Sequence, residues 1–254
     1  MTIGTAKPSV KELAAVKHYF IDEFHVTQLL SAADYETLAL EYLDEIFKIH
    51  NTAVVCGGTG LYIKALCEGL DDMPEADDKI AKQTEADYKI HGITWLQHAV
   101  EKEDPEFYKI AEIQNPARLL RALIFIRTTG KSITQFRTHE KKQRPFSIIK
   151  IGLELPREQL YNRINERVDH MMAQGLLDEV EKLLPYRDSK NLQSVGYAEL
   201  LDYIDGKCTL HEATEKIKQH TRNYAKRQMT WFKKDKEIKW FSAEDVVGKI
   251  MEIT

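Results

Sequence analysis

Apolar positions recur at helical spacing along most of this chain, and a few short runs of β-branched residues interrupt them. Ser9 with Glu12 opens a short helix, and Ser31 with Asp34 caps a longer one whose apolar face carries Tyr35, Leu38, Tyr42, Ile46 and Ile49, with Asn51 closing it. Asn115-Pro116 supplies an N-cap and a proline at the first helical position for a helix over 117–129 that ends at Gly130. Leu160, Ile164, Val168 and Met171 form the apolar side of another, broken at Gly175 and resumed over 176–184. Thr209 with Glu212 opens the last long helix, in which Ile217, Tyr224 and Trp231 recur every seven residues. Three pieces read as strands: 18–21, a buried run at Ala53-Val54-Val55, and 147–155.

From Asp72 onward the segments 79–90, 94–102 and 105–113 are charged and helical with no strand among them, which predicts an all-helical insertion. Helix, strand and helix in the order found around residue 54 predict an α/β fold on a parallel sheet whose first βα unit is missing. The expected organisation is an α/β core of residues 1–75 and 115–254, ending in C-terminal helices, with the insertion at 76–114.

Composition narrows the class. A chain of 254 residues that is 43% hydrophobic can bury one substantial core. Its apolar runs are too short and too charged to span a bilayer, and its N-terminus lacks the basic start and apolar stretch of a signal peptide, so a cytoplasmic protein is expected. Cys56, Cys67 and Cys208 lack metal-type spacing; buried reduced thiols and no zinc site are expected. With a net charge of −4, any polyanion would need a local basic surface.

The candidate chemistry starts at VVCGGTGLYIKAL, Val54 to Leu66, which reads as strand, glycine turn and helix. Glycines there allow positive φ and bring unpaired N–H groups to a helix N-terminus, where Thr59 would add a hydroxyl beside an anion. A plain strand-to-helix turn gives the same pattern. Arg118 and Arg121 lie three apart on one helix face, which is also what solvated surface arginines look like. Arg163 and Arg167, at i and i+4, could clamp a diphosphate with forked hydrogen bonds, or could pair with Glu166. Lys218, Arg222 and Lys226 recur every four residues along the last long helix, followed by Lys233, Lys234, Lys236 and Lys239; a phosphate or RNA surface and a solvated helix face both fit.

Taken together these residues resemble the tRNA dimethylallyltransferases, also called tRNA isopentenyltransferases. The matching segments run in order along essentially the whole chain: 3–8 (IGTAKP), 18–22, 31–35 (SAADY), 57–62 (GGTGLY), 115–123 (NPARLLRAL), 129–131, 195–197 (VGY) and 221–228 (TRNYAKRQ). The resemblance implies transfer of a dimethylallyl group from dimethylallyl diphosphate to N6 of the adenosine beside the tRNA anticodon. It also implies a P-loop-NTPase-like parallel sheet core and a helical insertion that embraces the anticodon stem-loop. For tRNA contact it points to Thr59, to Ala117, Arg118, Leu119, Leu120 and Arg121, to Gln193, Ser194, Val195, Gly196 and Tyr197, and to Arg222, Lys226 and Arg227. Thr59, Arg163 and Arg167 are the catalytic candidates.

Family members of this kind begin with a strand, a P-loop, a helix and a second strand ahead of the IGTAKP segment. That stretch carries the amides, Lys and Thr that hold the diphosphate and Mg²⁺, and the Asp that serves as base. None of it precedes Ile3 here. The chain is therefore expected to lack the P-loop, the base and the Mg²⁺ ligands, and not to catalyse by itself; the intact protein is expected to be monomeric. Two other functions fit the same residues, an adenylate prenyltransferase and a catalytically dead RNA-binding remnant. The long helical stretch argues against the first, because a free nucleotide needs no such clamp.

Overall fold

Capping residues and apolar stripes fall where helices are needed, and helices dominate the fold. A computed structural model describes residues 1–5, 7–138 and 140–243. The chain divides into two compact units, Met1–Cys67 with Pro145–Thr254, and Glu68–Arg144.

In the first unit α1 (Val10–Ala15) and α2 (Ala32–Phe47) each start in a capping box, Ser9 with Glu12 and Ser31 with Asp34. Helix α3 (Gly60–Glu68) follows the glycine turn. Ala39 and Leu43 of α2 and Leu66 of α3 make a small buried cluster. Two predicted strands are absent. Phe20 (φ 64°) and Asp22 (φ 59°) hold left-handed backbone at and just after 18–21, which a strand cannot accommodate. The run 53–55 pairs with no strand among the described residues, and Val54 and Val55 are 84% and 49% exposed. A strand is held by ladder partners and a covered face; no ladder partner reaches these residues, and only Ala53 packs against the α2–α3 cluster. Cys56 is exposed for the same reason, against the expectation of a buried thiol.

The regular structure of the second unit, among the described residues, is all helical. Helix α4 (Asp78–Glu103), capped by Asp77, is interrupted at Gly92, whose φ of 73° places the expected break between 90 and 94 inside one longer element. Helices α5 (Pro105–Tyr108) and α6 (Pro116–Thr129) complete it. Leu96, Val100, Phe107, Leu119, Ala122, Leu123, Phe125 and Ile133 form its core. Full burial of Leu96, Val100, Leu119 and Leu123 contributes about 1.5–3 kcal/mol each. Arg127 binds α6 to α4 with a bidentate pair to Glu103 (2.8 and 2.7 Å) and a third bond to Thr84 (3.2 Å). Packing thus takes α6 into the helical unit, which spans more chain than the expected 76–114.

Returning to the first unit, β1 (Ile151–Glu154) pairs in parallel with β2 (Lys239–Ser242), Ile151 opposite Lys239. The ladder covers less than the predicted 147–155, since Ile148 and Ile149 stay exposed and unpaired in any sheet. β2 has no counterpart in the sequence reading, where Lys239 was counted with a basic tail. Lys150 holds the two strands' approaches together through Asp235 (2.7 Å) and Glu237 (2.8 Å). Helices α7 (Arg157–Ala173), α8 (Leu176–Lys182), α9 (Tyr197–Ile204) and α10 (Leu210–Phe232) pack around Val168, Leu176, Val180, Leu192, Tyr197, Leu200, Ala213 and Ile217. The result is a mixed α/β fold with a small parallel sheet.

Candidate functional site

Two glycines of the turn, Gly58 and Gly60, lie close against α10. Gln228 Nε2 donates to the Gly58 carbonyl at 2.9 Å, and a Cβ on Gly58 would stand 2.0 Å from that nitrogen. A Cβ on Gly60 would stand 2.3 Å from Trp231 Nε1. None of Gly57, Gly58 and Gly60 has positive φ, so it is the close approach of α10, and not left-handed backbone, that disfavours side chains here: at Gly60 the Trp231 ring is in the way, and at Gly58 the Gln228 amide would have to shift. The Thr59 carbonyl accepts from Tyr62 N–H (2.9 Å) and Ile63 N–H (3.1 Å), which makes Thr59 the residue that opens α3. It is exposed, beside the C-terminal half of α10.

Along α7, Ile164 and Val168 face the core while Asn165 and Asp169 reach α10. Asn165 Oδ1 accepts from Arg222 Nη1 at 2.6 Å, and Asp169 pairs with Lys218 at 2.7 Å. A step of 100° per residue puts Arg163 and Arg167 on the opposite flank of the buried stripe. Both are exposed and make no hydrogen bond or ion pair among the described residues, Glu166 included. Lys218 is neutralised by Asp169 and Glu215, so the basic stripe of α10 is reduced to Arg222, Lys226 and Arg227, the last lying over the Tyr224 ring. An open groove of about 640 Å³ between α7 and α10 is lined by Arg157, Glu158, Tyr161, Asn162, Asn165 and Arg222.

The segment from Gln193 to Tyr197 is held by two carboxylates. Gln193 and Ser194 are exposed and Val195 is half-buried, whereas Gly196 is buried and Tyr197 is 1% exposed. The Tyr197 hydroxyl donates to Glu179 at 2.5 Å; the same carboxylate accepts from Thr2 (2.9 Å), Ile3 (2.9 Å) and Gly4 (3.4 Å) N–H groups. Burial and this bond raise the Tyr197 hydroxyl above the ordinary tyrosine range. Burial pushes Glu179 up, but the Tyr197 hydroxyl and the backbone donors outweigh it and hold the carboxyl below its ordinary value. Glu199, also buried, accepts from Gly196 N–H at 2.7 Å and lies 2.5 Å from His220 Nδ1 on α10. Neither carboxylate was singled out from the sequence. The spacing Gly196-x-x-Glu199 is that of a capping box and could have shown the second; Glu179 bonds residues about 175 positions away, and no local pattern marks it.

On the helical unit, Asn115 Oδ1 accepts from Arg118 N–H (3.3 Å) and fixes the start of α6. Ala117, Arg118 and Arg121 face solvent, Leu120 is half-buried, and Leu119 is packed in the core. Of the five residues expected to contact tRNA there, Leu119 is the one packed fully into the core. Among the described residues no group of three or more His, Cys, Asp or Glu is arranged to hold a metal ion. No described helix is long and apolar enough to cross a membrane.

Guanidinium and amide groups line up on helices of a mixed α/β fold, and a separate helical unit presents further arginines. This is a fold with surfaces suited to phosphate-bearing ligands. The model of the IPP transferase family matches residues 1–235, and the chain belongs to that family. It is 46% identical over 244 residues to tRNA dimethylallyltransferase 1 of Bacteroides thetaiotaomicron, covering 96% of this chain and 79% of that protein. It is also 46% identical over 245 residues to the tRNA dimethylallyltransferase of Christiangramia forsetii, covering 96% and 81%. The crystal structure of the tRNA isopentenylpyrophosphate transferase of Bacillus halodurans matches with a TM-score of 0.67 at 37% identity, over 99% of this chain and 80% of that one. A eukaryotic dimethylallyltransferase acting on tRNA matches at a TM-score of 0.75 and 22% identity, over 99% and 67%, which shows the shared fold.

Proposed function

We propose that this chain is a tRNA prenyltransferase polypeptide, which transfers a dimethylallyl group from dimethylallyl diphosphate to N6 of the adenosine next to the anticodon. The observation that carries this reading is its 46% identity, over 96% of its length, to a protein named for that activity. In the reaction the N6 lone pair forms the new N–C bond at the allylic carbon. The C–O bond breaks with its electrons passing to diphosphate, and the amine gives up a proton.

A leaving diphosphate is best served by fixed positive charge aimed at it. Arg163 and Arg167, one turn apart on α7 with no carboxylate partner, are the residues of this chain suited to that work. Thr59, at the mouth of α3, is suited to a phosphate or ribose contact. For the RNA we assign Ala117, Arg118 and Arg121 of α6, with Leu119 and Leu120 as their support, the exposed part of 193–197, and Arg222, Lys226 and Arg227 of α10. The helical unit, with Arg118 and Arg121 on it, is assigned to the anticodon stem-loop. Mg²⁺ is the metal expected of this chemistry.

The test is transfer of label from radiolabelled dimethylallyl diphosphate to unmodified tRNA and, in parallel, to free adenylate, with the Bacteroides thetaiotaomicron relative assayed alongside. Label on tRNA supports the proposal, and Arg163→Ala or Arg167→Ala is then expected to lower kcat with little change in tRNA affinity. Label on adenylate alone would refute the tRNA reading. Binding of tRNA without transfer, under conditions where the relative is active, would favour an RNA-binding role for this chain.

A further inference from the structure

The stretch between α6 and β1 holds an arginine, Arg137, that no pattern in the sequence singled out. The 3₁₀ turn Ile133–Phe136 packs onto the helical unit through Ile133 and through Phe136, whose ring meets Phe125 edge-on at 5.1 Å. Arg137 leaves that turn with its guanidinium over the Phe107 ring, 5.7 Å from the centroid. Arg121 is steadied on the same unit by Met73, its Nη2 lying 3.8 Å from the sulfur. Met73, Phe107 and Phe136 all belong to one apolar cluster, so that the guanidiniums of Arg121 and Arg137 rise from a common floor.

Other bases of the loop are committed, Lys141 to Glu68 (2.9 Å) and Lys142 to Asp72 (2.8 Å). Arg118, Arg121 and Arg137, in contrast, have no carboxylate at ion-pair distance among the described residues. Burial, and then the positive charges of Arg121 and Arg118, hold the Arg137 guanidinium below its ordinary basicity, while Asp71 offsets part of this. Asp71 itself accepts from Thr138 N–H (3.1 Å) and Oγ1 (2.6 Å). Like charges gathered with no carboxylate at ion-pair distance, and only partly offset by Asp71, cost free energy that an anionic ligand returns, and a guanidinium laid on an aromatic face keeps its N–H fork oriented for a phosphate.

We propose that Arg137 joins Arg118 and Arg121 in a three-arginine clamp on the helical unit, which grips the phosphate backbone of the bound RNA. This rests on the reading of the chain as a tRNA-binding protein. It adds a contact 16 residues beyond Arg121, outside the segment assigned to RNA above.

The experiment measures binding of this chain to an unmodified anticodon stem-loop RNA as salt is raised fourfold. Removing one phosphate contact lowers the slope of log affinity against log salt by about 0.7–0.9, so Arg137→Gln is expected to lose about threefold less affinity than the parent over that range. It should also bind more weakly at the low-salt end. Arg137→Met keeps the apolar contact with Phe107 and removes only the charge, so it serves if the Gln variant does not fold. Arg137→Lys should restore the slope. Parent-like affinity and slope in Arg137→Met, with both reduced in Arg121→Gln, would overturn the clamp and leave the tRNA reading standing. Absence of RNA binding by the parent would overturn both.

Discussion

The Glu179 carboxylate ties three distant pieces of chain together, and its removal gives the sharpest stability test. It accepts the Tyr197 hydroxyl and the N–H groups of Thr2, Ile3 and Gly4. In Glu179→Ala, the Tyr197 hydroxyl, on a residue only 1% exposed, loses its partner. An unsatisfied buried donor costs about 1–3 kcal/mol, and the three backbone bonds, partly open to water, add about 1 kcal/mol together after screening. The sum is about 2–4 kcal/mol. At 2–4 °C per kcal/mol for a chain of this size, Tm should fall by about 4–16 °C at neutral pH. The pH dependence has a definite sign. The folded carboxyl lies below its ordinary value of 4.5, so its contribution is whole above pH 4.5 and disappears as pH falls through the lower folded value. The Tm gap between parent and variant should therefore narrow in acid. Thermal unfolding followed by circular dichroism at neutral pH and through the acid range reads both effects. A fall of under about 1 °C at neutral pH would refute the account of this hub, since even one orphaned buried hydroxyl should cost more.

Gly4→Ala should destabilise by about 1–3 kcal/mol, because its Cβ would stand 2.5 Å from the buried Tyr197 ring. Gly57→Ala should be neutral or stabilise by up to about 1 kcal/mol, having nothing within 4 Å and no positive φ; urea unfolding of both variants compares them. Arg127→Lys gives up the forked pair with Glu103 and should cost about 0.5–1.5 kcal/mol, read as earlier loss of hydrogen-exchange protection in α4 and α6. His220→Ala leaves Glu199, 6% exposed, without its side-chain partner and should cost about 1–3 kcal/mol. It should also weaken RNA binding through the 193–197 segment, and unchanged stability and RNA affinity would show that the Gly196 N–H alone holds that carboxylate.

What could be read in the sequence divides by the distance over which each feature is determined. Caps at Ser9, Ser31, Asn115 and Thr209 and the left-handed stop at Gly130 depend on neighbours three or four residues away, and each lies where the pattern put it. The family was legible for the same reason, as ordered short motifs. Strands depend on partners elsewhere in the chain. The β-branched run 53–55 has strand composition and no ladder, while β2 reads as Lys-Trp-Phe-Ser in a basic tail and becomes a strand because β1 lies beside it. The candidate sites divide likewise. Helical spacing correctly put Arg163 with Arg167, and Arg118 with Arg121, on shared faces. It could not tell that Asp169 neutralises Lys218, that Tyr197 serves as a buried anchor for Glu179, or that Gln228 and Trp231 occupy the space the glycine turn leaves. Local patterning therefore specified which residues could act, and long-range pairing decided which of them remain free to meet a ligand. By that criterion Arg137 belongs with Arg118 and Arg121, although nothing in its own neighbourhood of the sequence distinguishes it from the lysines that follow.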